Sequence, residues 1–232
     1  MNHPIVSKEE WLGARKRLLA REKEFTRLRD ELARERRALP WERVEKSYLF
    51  DSERGRQSLA DLFGDRHQLV VYHFMFAPDW ENGCKSCSFW ADNFNGIVPH
   101  LRQRDVAFAA VSRAPWQKLQ AFARRLGWTF NWVSSGGNDF NYDFQVSFTE
   151  QQMQGDVDYN YGRQRFPSSD APGVSVFARD GNEVFHTYSS FGRGIDMLNT
   201  AYHYLDIVPK GRDEDDLPSP MAWVKLHDLY TN

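Results

Sequence analysis

The sequence lacks the features of most membrane, secreted and nucleic-acid-binding proteins. Only two of its 232 residues are cysteine, and its formal net charge is −2. No segment approaches the roughly 18 consecutive apolar residues of a membrane span, and the first residues form no apolar signal segment. A charge this close to zero gives no basic surface for nucleic acid or for an anionic membrane. We therefore expect a cytoplasmic protein that binds neither.

The two cysteines that are present lie three residues apart, at Cys84 and Cys87. This spacing brings both sulfurs to one edge of a first helical turn, close enough for a disulfide. No other cysteine is available as a partner, and in a cytosolic protein such a pair is more often catalytic or metal-binding than structural. The pair is therefore a reversible dithiol, half of a zinc site or two inert buried thiols.

A zinc site is the weaker of the two chemical readings. Tetrahedral zinc needs four ligands, and the chain has no second CxxC and no pair of histidines at ligand spacing. His73, His100, His186 and His203 occur singly, as satisfied core or surface residues do. We therefore expect neither a metal nor a cofactor, and the reversible dithiol is the favoured reading.

Residues 45–206 alternate between the patterns of strands and helices. Buried or half-buried strands are predicted at 46–50, 68–76, 106–112, 130–134, 173–178 and 183–188, and helices at 87–104, 115–126 and 194–205. Strands that alternate with helices in this way predict an α/β domain, with a central mixed β-sheet flanked by helices.

Three segments lie outside this alternation. Residues 1–44 form an N-terminal extension with a long amphipathic helix at 7–39, whose start carries the capping-box pattern of Ser7 and Glu10. Its narrow apolar stripe could be a coiled-coil seam that gives a homodimer, or could pack across its own domain or a partner subunit. An aromatic insertion at about 135–171 could form a lid over the dithiol or a satellite core against the N-terminal helix. A C-terminal tail, 207–232, is expected to wrap the surface, with Trp223 as its anchor.

The dithiol stands where a helix begins, immediately after a buried strand. A thiolate at that position faces unsatisfied backbone N–H groups and the positive end of the helix dipole, so the pKa of Cys84 should fall below the roughly 8.5 of a free thiol. Lys85 adds positive charge beside it. Cys87, one turn further on, should be shielded and less acidic. This asymmetry predicts Cys84 as the nucleophile and Cys87 as the resolving cysteine.

A strand, a CxxC at a helix start, a further βα unit and then proline, hairpin and helix resemble the thioredoxin fold over residues 45–206. The chain also resembles, over nearly its whole length, an uncharacterised bacterial family described as predicted dithiol–disulfide oxidoreductases with a thioredoxin-like fold. The segments that carry this resemblance are HFMF at 73–76, GCKSCSFW at 83–90, VSRAP at 111–115, DFNYD at 139–143 and YNY at 159–161.

The resemblance implies a site shaped by two further residues. Pro172, just before the hairpin, would lie beside the cysteines, where a cis peptide bond would turn the preceding backbone toward the substrate; the pattern alone does not predict that isomer. Trp80 stands four positions before Cys84, whereas thioredoxin places a tryptophan directly before its first cysteine. The expected partners are a disulfide-containing protein or a low-molecular-weight thiol.

Two other functions remain open from the sequence. A peroxiredoxin-like thiol peroxidase would use Cys84 as the peroxidatic cysteine and would need an arginine nearby. Glu81 replaces the threonine expected three residues before that cysteine, and the arginine candidates are Arg163, Arg165, Arg179 and Arg193. The other alternative is a non-catalytic binding module that retains the thioredoxin fold and has inert thiols.

Overall fold

The computed structural model describes residues 3–231, and the chain divides into two units, Met1–Pro40 and Trp41–Asn232. The first unit contains helix α1, Lys8–Arg37. At its start the amide of Glu10 donates to Ser7 Oγ at 3.2 Å, and the Ser7 amide donates to the Glu10 carboxylate at 3.0 Å. This capping box confirms the predicted start of the helix. No side chain of α1 is buried, and the pairing of two copies through its apolar stripe stays a prediction.

The second unit is built on ten strands. They are β1 Glu42–Arg43, β2 Leu49–Ser52, β3 Gly55–Ser58, β4 Gln68–His73, β5 Val106–Ser112, β6 Trp132–Ser134, β7 Val157–Tyr159, β8 Gly162–Gln164, β9 Gly173–Asp180 and β10 Glu183–Phe191. Eight of them form one mixed sheet in the order β1-β10-β9-β4-β5-β6-β2-β3, and β7 pairs with β8 in a separate hairpin. The mixed α/β architecture expected from the alternating pattern is confirmed.

Six α-helices accompany these strands in the described part of the second unit. They are α2 Lys85–Ala91, α3 Phe94–Arg102, α4 Trp116–Arg125, α5 Phe140–Asp143, α6 Glu150–Met153 and α7 Thr200–Leu205. The single helix predicted at 87–104 is wrong, because two helices occupy that range. They separate at Asp92 and Asn93. The Asn93 amide donates back to the carbonyl of Phe89, and the Asp92 carboxylate accepts from the indole of the distant Trp128.

The central strand β4 separates two hydrophobic cores. Because side chains alternate along a strand, Tyr72 faces the core that holds Cys87 and Trp90, whereas Leu69 and Val71 face the opposite core. Cover on both faces explains why β4 and its parallel neighbour β5 are nearly continuous apolar runs.

The register of β4 determines where the site lies. His73, its last residue, pairs with Val111 of β5 on one side and with Gly173 of β9 on the other. The loop that leads to the cysteines and the segment that contains Pro172 therefore meet at one edge of the sheet. Nearby, the aromatic insertion forms a small core of its own, in which Val146, Phe148, Val157, Tyr159 and Ala171 pack with Phe191 of β10.

Candidate active site

Cys84 occupies the N-cap position of α2. Its amide donates to the carbonyl of Met75 at 3.0 Å, which ties the start of the helix to the chain just beyond β4. Gly83 precedes it at a close approach, where an added Cβ would lie 2.8 Å from the Phe74 ring and 3.0 Å from the Phe122 ring. Only glycine fits there without displacing these rings, so local packing places the cysteine at the helix start.

The Cys84 sulfur is surrounded by hydrogen-bond donors. The thiol of Cys87, the backbone amides of Cys87 and Ser86, and the Ser86 hydroxyl all donate to it. Together these donors lower the pKa of Cys84 to about 6, against the opposing effect of burial. Both cysteines are free, and Cys84 is partly exposed, so a stabilised thiolate is accessible from solvent.

Cys87 has the opposite environment. It is fully buried in the core beneath α2, and burial raises the pKa of its thiol, as does the neighbouring charge of Cys84. The nearby Met75 backbone and Tyr72 hydroxyl act on this pKa in the other direction. Near neutral pH, Cys84 is therefore the anion and Cys87 the proton donor of the pair.

The two other residues predicted near the dithiol make different contacts. Trp80 is half-buried and packs against the core that contains both cysteines. The Lys85 ammonium donates to the carbonyl of Ala222 at 2.9 Å, so it fastens the C-terminal tail to α2. The effect of the Lys85 charge on Cys84 stays a prediction, and the contact with the tail was not predicted.

Pro172 lies in a segment that side chains hold in place. Arg113, at the end of β5, donates to Asp170 at 2.7 Å and to Ser169 at 3.2 Å, and the Tyr159 hydroxyl donates to the Pro172 carbonyl at 2.7 Å. All peptide bonds within residues 3–231 are trans, including the one before Pro172. Sequence reasoning did not find Arg113 or Asp170, although Arg113 stands in the VSRAP segment.

The four arginines considered for a peroxidase lie in other environments. Arg163, Arg165 and Arg193 are exposed and face Asp158, Asp156 and Asp196 respectively. Arg179 belongs to the far end of β9, where its amide donates to the carbonyl of His67 and its guanidinium lies over the Phe63 ring. None of the four is thus held at the cysteine edge of the sheet by the contacts of the described residues.

The C-terminal tail packs over α2. Trp223 stacks edge to face on Phe89 with ring centroids 5.4 Å apart, which confirms its role as an anchor. Glu214 fixes this arrangement, because one of its oxygens accepts from the Tyr202 hydroxyl, the Met221 amide and the Trp223 indole at 2.9, 3.0 and 2.6 Å.

Substitution of Glu214 should loosen the tail selectively. In Glu214→Ala three donors lose a charged acceptor, so we expect trypsin to cleave within residues 207–226 about tenfold faster than in the wild type. Limited proteolysis with mass spectrometry measures the rate. Asp215→Ala is the matched control, because Asp215 is exposed and bonds to no other described residue. Equal cleavage of the two variants would show that Glu214 does not anchor the tail.

The Tyr72 hydroxyl was also missed from the sequence. Tyr72 is 1% exposed, and its hydroxyl has no hydrogen-bond partner among the described residues; the Cys87 thiol lies near it. The available signal was the alternation along β4, which turns residue 72 to the face covered by α2.

Comparison with known families places this geometry in context. A sequence profile described as "Bacterial protein of unknown function (DUF899)" matches residues 1–230. The chain belongs to the DUF899 family. None of the curated proteins matches it by sequence. The family assignment is thus established, and it carries no activity with it.

Solved structures similar to this DUF899 chain include peroxiredoxins. Peroxiredoxin Q of Xanthomonas campestris is 14% identical over 70% of this chain and 93% of its own, with a TM-score of 0.50. Peroxidoxin BcpB of Mycobacterium tuberculosis is 13% identical over 69% and 93%, with a TM-score of 0.45. The first likeness, together with the sheet order, confirms the predicted thioredoxin-like fold.

Two further findings concern the described residues of this DUF899 chain. No group of three or more histidine, cysteine, aspartate or glutamate side chains within residues 3–231 is arranged to hold a metal ion. No helix within that range is both long and apolar enough to cross a membrane.

Proposed function

We propose that this DUF899 protein is a thiol–disulfide oxidoreductase in which Cys84 is the nucleophile and Cys87 the resolving cysteine. The observation that carries the proposal is the pairing of an accessible, hydrogen-bonded Cys84 sulfur with a buried Cys87 thiol that donates to it. A thiolate is the reactive form in disulfide exchange, and its buried neighbour is positioned to attack the mixed intermediate.

The proposed reaction has two exchange steps. The Cys84 thiolate attacks one sulfur of a substrate disulfide, a new S–S bond forms, and the other substrate sulfur leaves as a thiolate. The Cys87 proton then passes to that thiolate directly or through water, and Cys87 attacks the Cys84 sulfur. The second substrate sulfur leaves with its electron pair. The substrate is reduced by two electrons, and an external dithiol must reduce the Cys84–Cys87 disulfide.

Alkylation measures the activation of Cys84 directly. The rate of iodoacetamide modification should reach half its maximum near pH 6, where the Cys84 pKa lies, instead of near the roughly 8.5 of a free thiol. Cys87→Ala removes the principal donor and should raise that midpoint by about one unit. A midpoint near 8.5 in the wild type would contradict an activated thiolate.

The substrate class follows from access to the sulfur. Because Cys84 is only partly exposed and packs with Trp80 against the same core, a disulfide must enter with little bulk around the attacked sulfur. A flexible disulfide-containing protein segment or a low-molecular-weight disulfide meets this condition. Turnover of oxidised glutathione with dithiothreitol as reductant is the simplest assay, and its absence in the wild type would count against the proposal.

A thiol peroxidase is the second candidate, favoured by the likeness in fold to a protein named peroxiredoxin Q. It would use the same Cys84 thiolate, which would attack a peroxide oxygen and break the O–O bond, so that the other oxygen leaves and is protonated to water or an alcohol. Cys87 would then condense with the resulting Cys84 sulfenic acid, forming the disulfide and releasing water. The pairing of Arg163, Arg165 and Arg193 with surface aspartates gives this reaction less support. Rapid consumption of hydrogen peroxide by Cys87→Ser, with no turnover of oxidised glutathione by the wild type, would favour the peroxidase.

A further inference from the structure

Tyr72 is buried beneath the dithiol with its hydroxyl unused by the rest of the protein. The ring is held by Phe94, in an edge-to-face contact with centroids 5.0 Å apart, and by Phe74 at 6.3 Å. A buried hydroxyl without a partner costs free energy, so such groups are rare unless they serve a function. Among the described residues, the Cys87 thiol is the neighbour that acts most strongly on this hydroxyl, ahead of Cys84 and Tyr159.

The hydroxyl of Tyr72 lies at the Cys87 end of the dithiol. In the reduced protein Cys87 donates its proton to the Cys84 thiolate, so the Cys87 sulfur is free to accept. The Tyr72 hydroxyl lies beside that sulfur and has no hydrogen-bond partner among the described residues, so it is available to donate once Cys87 becomes a stronger acceptor. In the reduced protein the hydrogen-bonded chain therefore runs from Cys87 to Cys84.

This chain changes when Cys84 enters a mixed disulfide. Cys84 then carries no charge and no longer holds the Cys87 proton, which leaves for the departed substrate thiolate. The new Cys87 anion lies in an apolar core of aromatic and aliphatic side chains, where an unassisted charge is costly. The groups that remain to stabilise it are the Tyr72 hydroxyl and the Met75 backbone.

We propose that the Tyr72 hydroxyl is the catalytic hydrogen-bond donor that stabilises the Cys87 thiolate in the resolving step. This inference rests on the proposed thiol–disulfide exchange and assigns to it a residue outside the CxxC sequence. The tyrosine keeps its own proton throughout, because burial and the nearby sulfur charge raise its pKa well above its ordinary value. It therefore stabilises the anion and does not exchange a proton with it.

Single-turnover reaction with dithionitrobenzoate separates the two steps. Attack by Cys84 releases one coloured thiolate, and resolution by Cys87 releases the second. In Tyr72→Phe we expect the first release to be unchanged and the second to be about tenfold slower, as loss of a hydrogen bond to a charged group predicts. The pH midpoint of the second release should rise by about one unit. Purely structural damage would not produce this selective shift in pH dependence.

Two further variants make the outcome decisive. Tyr48→Phe is the matched control. Tyr48 lies in the opposite core and its hydroxyl donates to Asp143, so both releases should match the wild type. A fluorinated tyrosine at position 72, a stronger donor of the same shape, should accelerate the second release. It also tests the proposal if Tyr72→Phe fails to fold.

The possible results distinguish this inference from the proposed function. Wild-type kinetics in Tyr72→Phe, or no acceleration by the fluorinated residue, would overturn the role of Tyr72 while leaving disulfide exchange intact. Release of only one equivalent by the wild type, as expected for Cys87→Ser, would instead overturn the resolving role of Cys87 and with it both proposals.

Discussion

Cys84→Ser is expected to abolish the reduction of oxidised glutathione, with a rate at least about a thousandfold below that of the wild type. A serine hydroxyl is not ionised near neutral pH, so the donors around position 84 would have no anion to stabilise. Cys87 cannot substitute for it, because that thiol is fully buried and burial raises its pKa. The assay follows glutathione formation under single-turnover conditions.

Cys87→Ser should fail at a different step of the same reaction. Cys84 would still attack, so we expect one glutathione per chain to be released rapidly and one to stay bound through Cys84, which intact-mass spectrometry detects. If Cys84→Ser and Cys87→Ser both released no glutathione and no adduct were trapped, the assigned order of attack would be wrong. Ser88→Ala provides a control within α2, since among residues 3–231 the Ser88 hydroxyl bonds to the Cys84 carbonyl and not to a sulfur.

The central strands could be predicted from the sequence because burial on both faces leaves an unmistakable apolar run. Strand β5 lies at the predicted residues 106–112. The hairpin β2–β3 could not be found in this way. Its second strand, Gly55–Ser58, is at the edge of the sheet and has no buried residue, so no apolar alternation marks it.

The candidate site was partly predictable for a similar reason. Cys84 and Cys87 are only three positions apart in sequence, and helix-start chemistry applies to them locally. Arg113 and Asp170 are 57 residues apart, and neither belongs to a local pattern that signals the other. In the sequence Tyr72 cannot be distinguished from the other core aromatic residues, because its role depends on where its hydroxyl lies. Contacts of long sequence separation therefore account for what the sequence did not reveal.

A second buried polar group, His73, makes the protein sensitive to acid. Its Nε2 lies 2.8 Å from Ser175 Oγ, and Ser175 and Ser189 link it to His186 through bonds of 2.8 and 2.7 Å. The other ring nitrogen, Nδ1, is buried and has no partner among the described residues. A neutral ring protonated on Nε2 leaves only a lone pair unsatisfied, whereas a protonated ring would leave an N–H donor without an acceptor.

This environment lowers the pKa of His73 to about 3, chiefly through burial and secondarily through the charge of His186. In the unfolded chain a histidine titrates near roughly 6.5. Below that pH the unfolded state binds a proton that the folded state does not. The free energy of unfolding therefore falls with decreasing pH between these two values, by up to about 1.4 kcal/mol per pH unit.

From this difference in pKa we expect the titration of His73 to lower the free energy of unfolding by about 2 kcal/mol between about pH 7 and about pH 5. Urea unfolding at both pH values measures this change.

His73→Gln cannot titrate. It should be less stable than the wild type at about pH 7, because it loses packing against Phe140 and Phe144, yet its free energy of unfolding should fall by about 2 kcal/mol less on acidification. His100→Gln changes an exposed histidine and should retain the wild-type loss. If His73→Gln and His100→Gln lost the same stability, acid sensitivity would have to come from other groups. A selective effect at His73 would show that the strand which leads to the dithiol also limits the pH range of the fold, because its last residue must stay neutral.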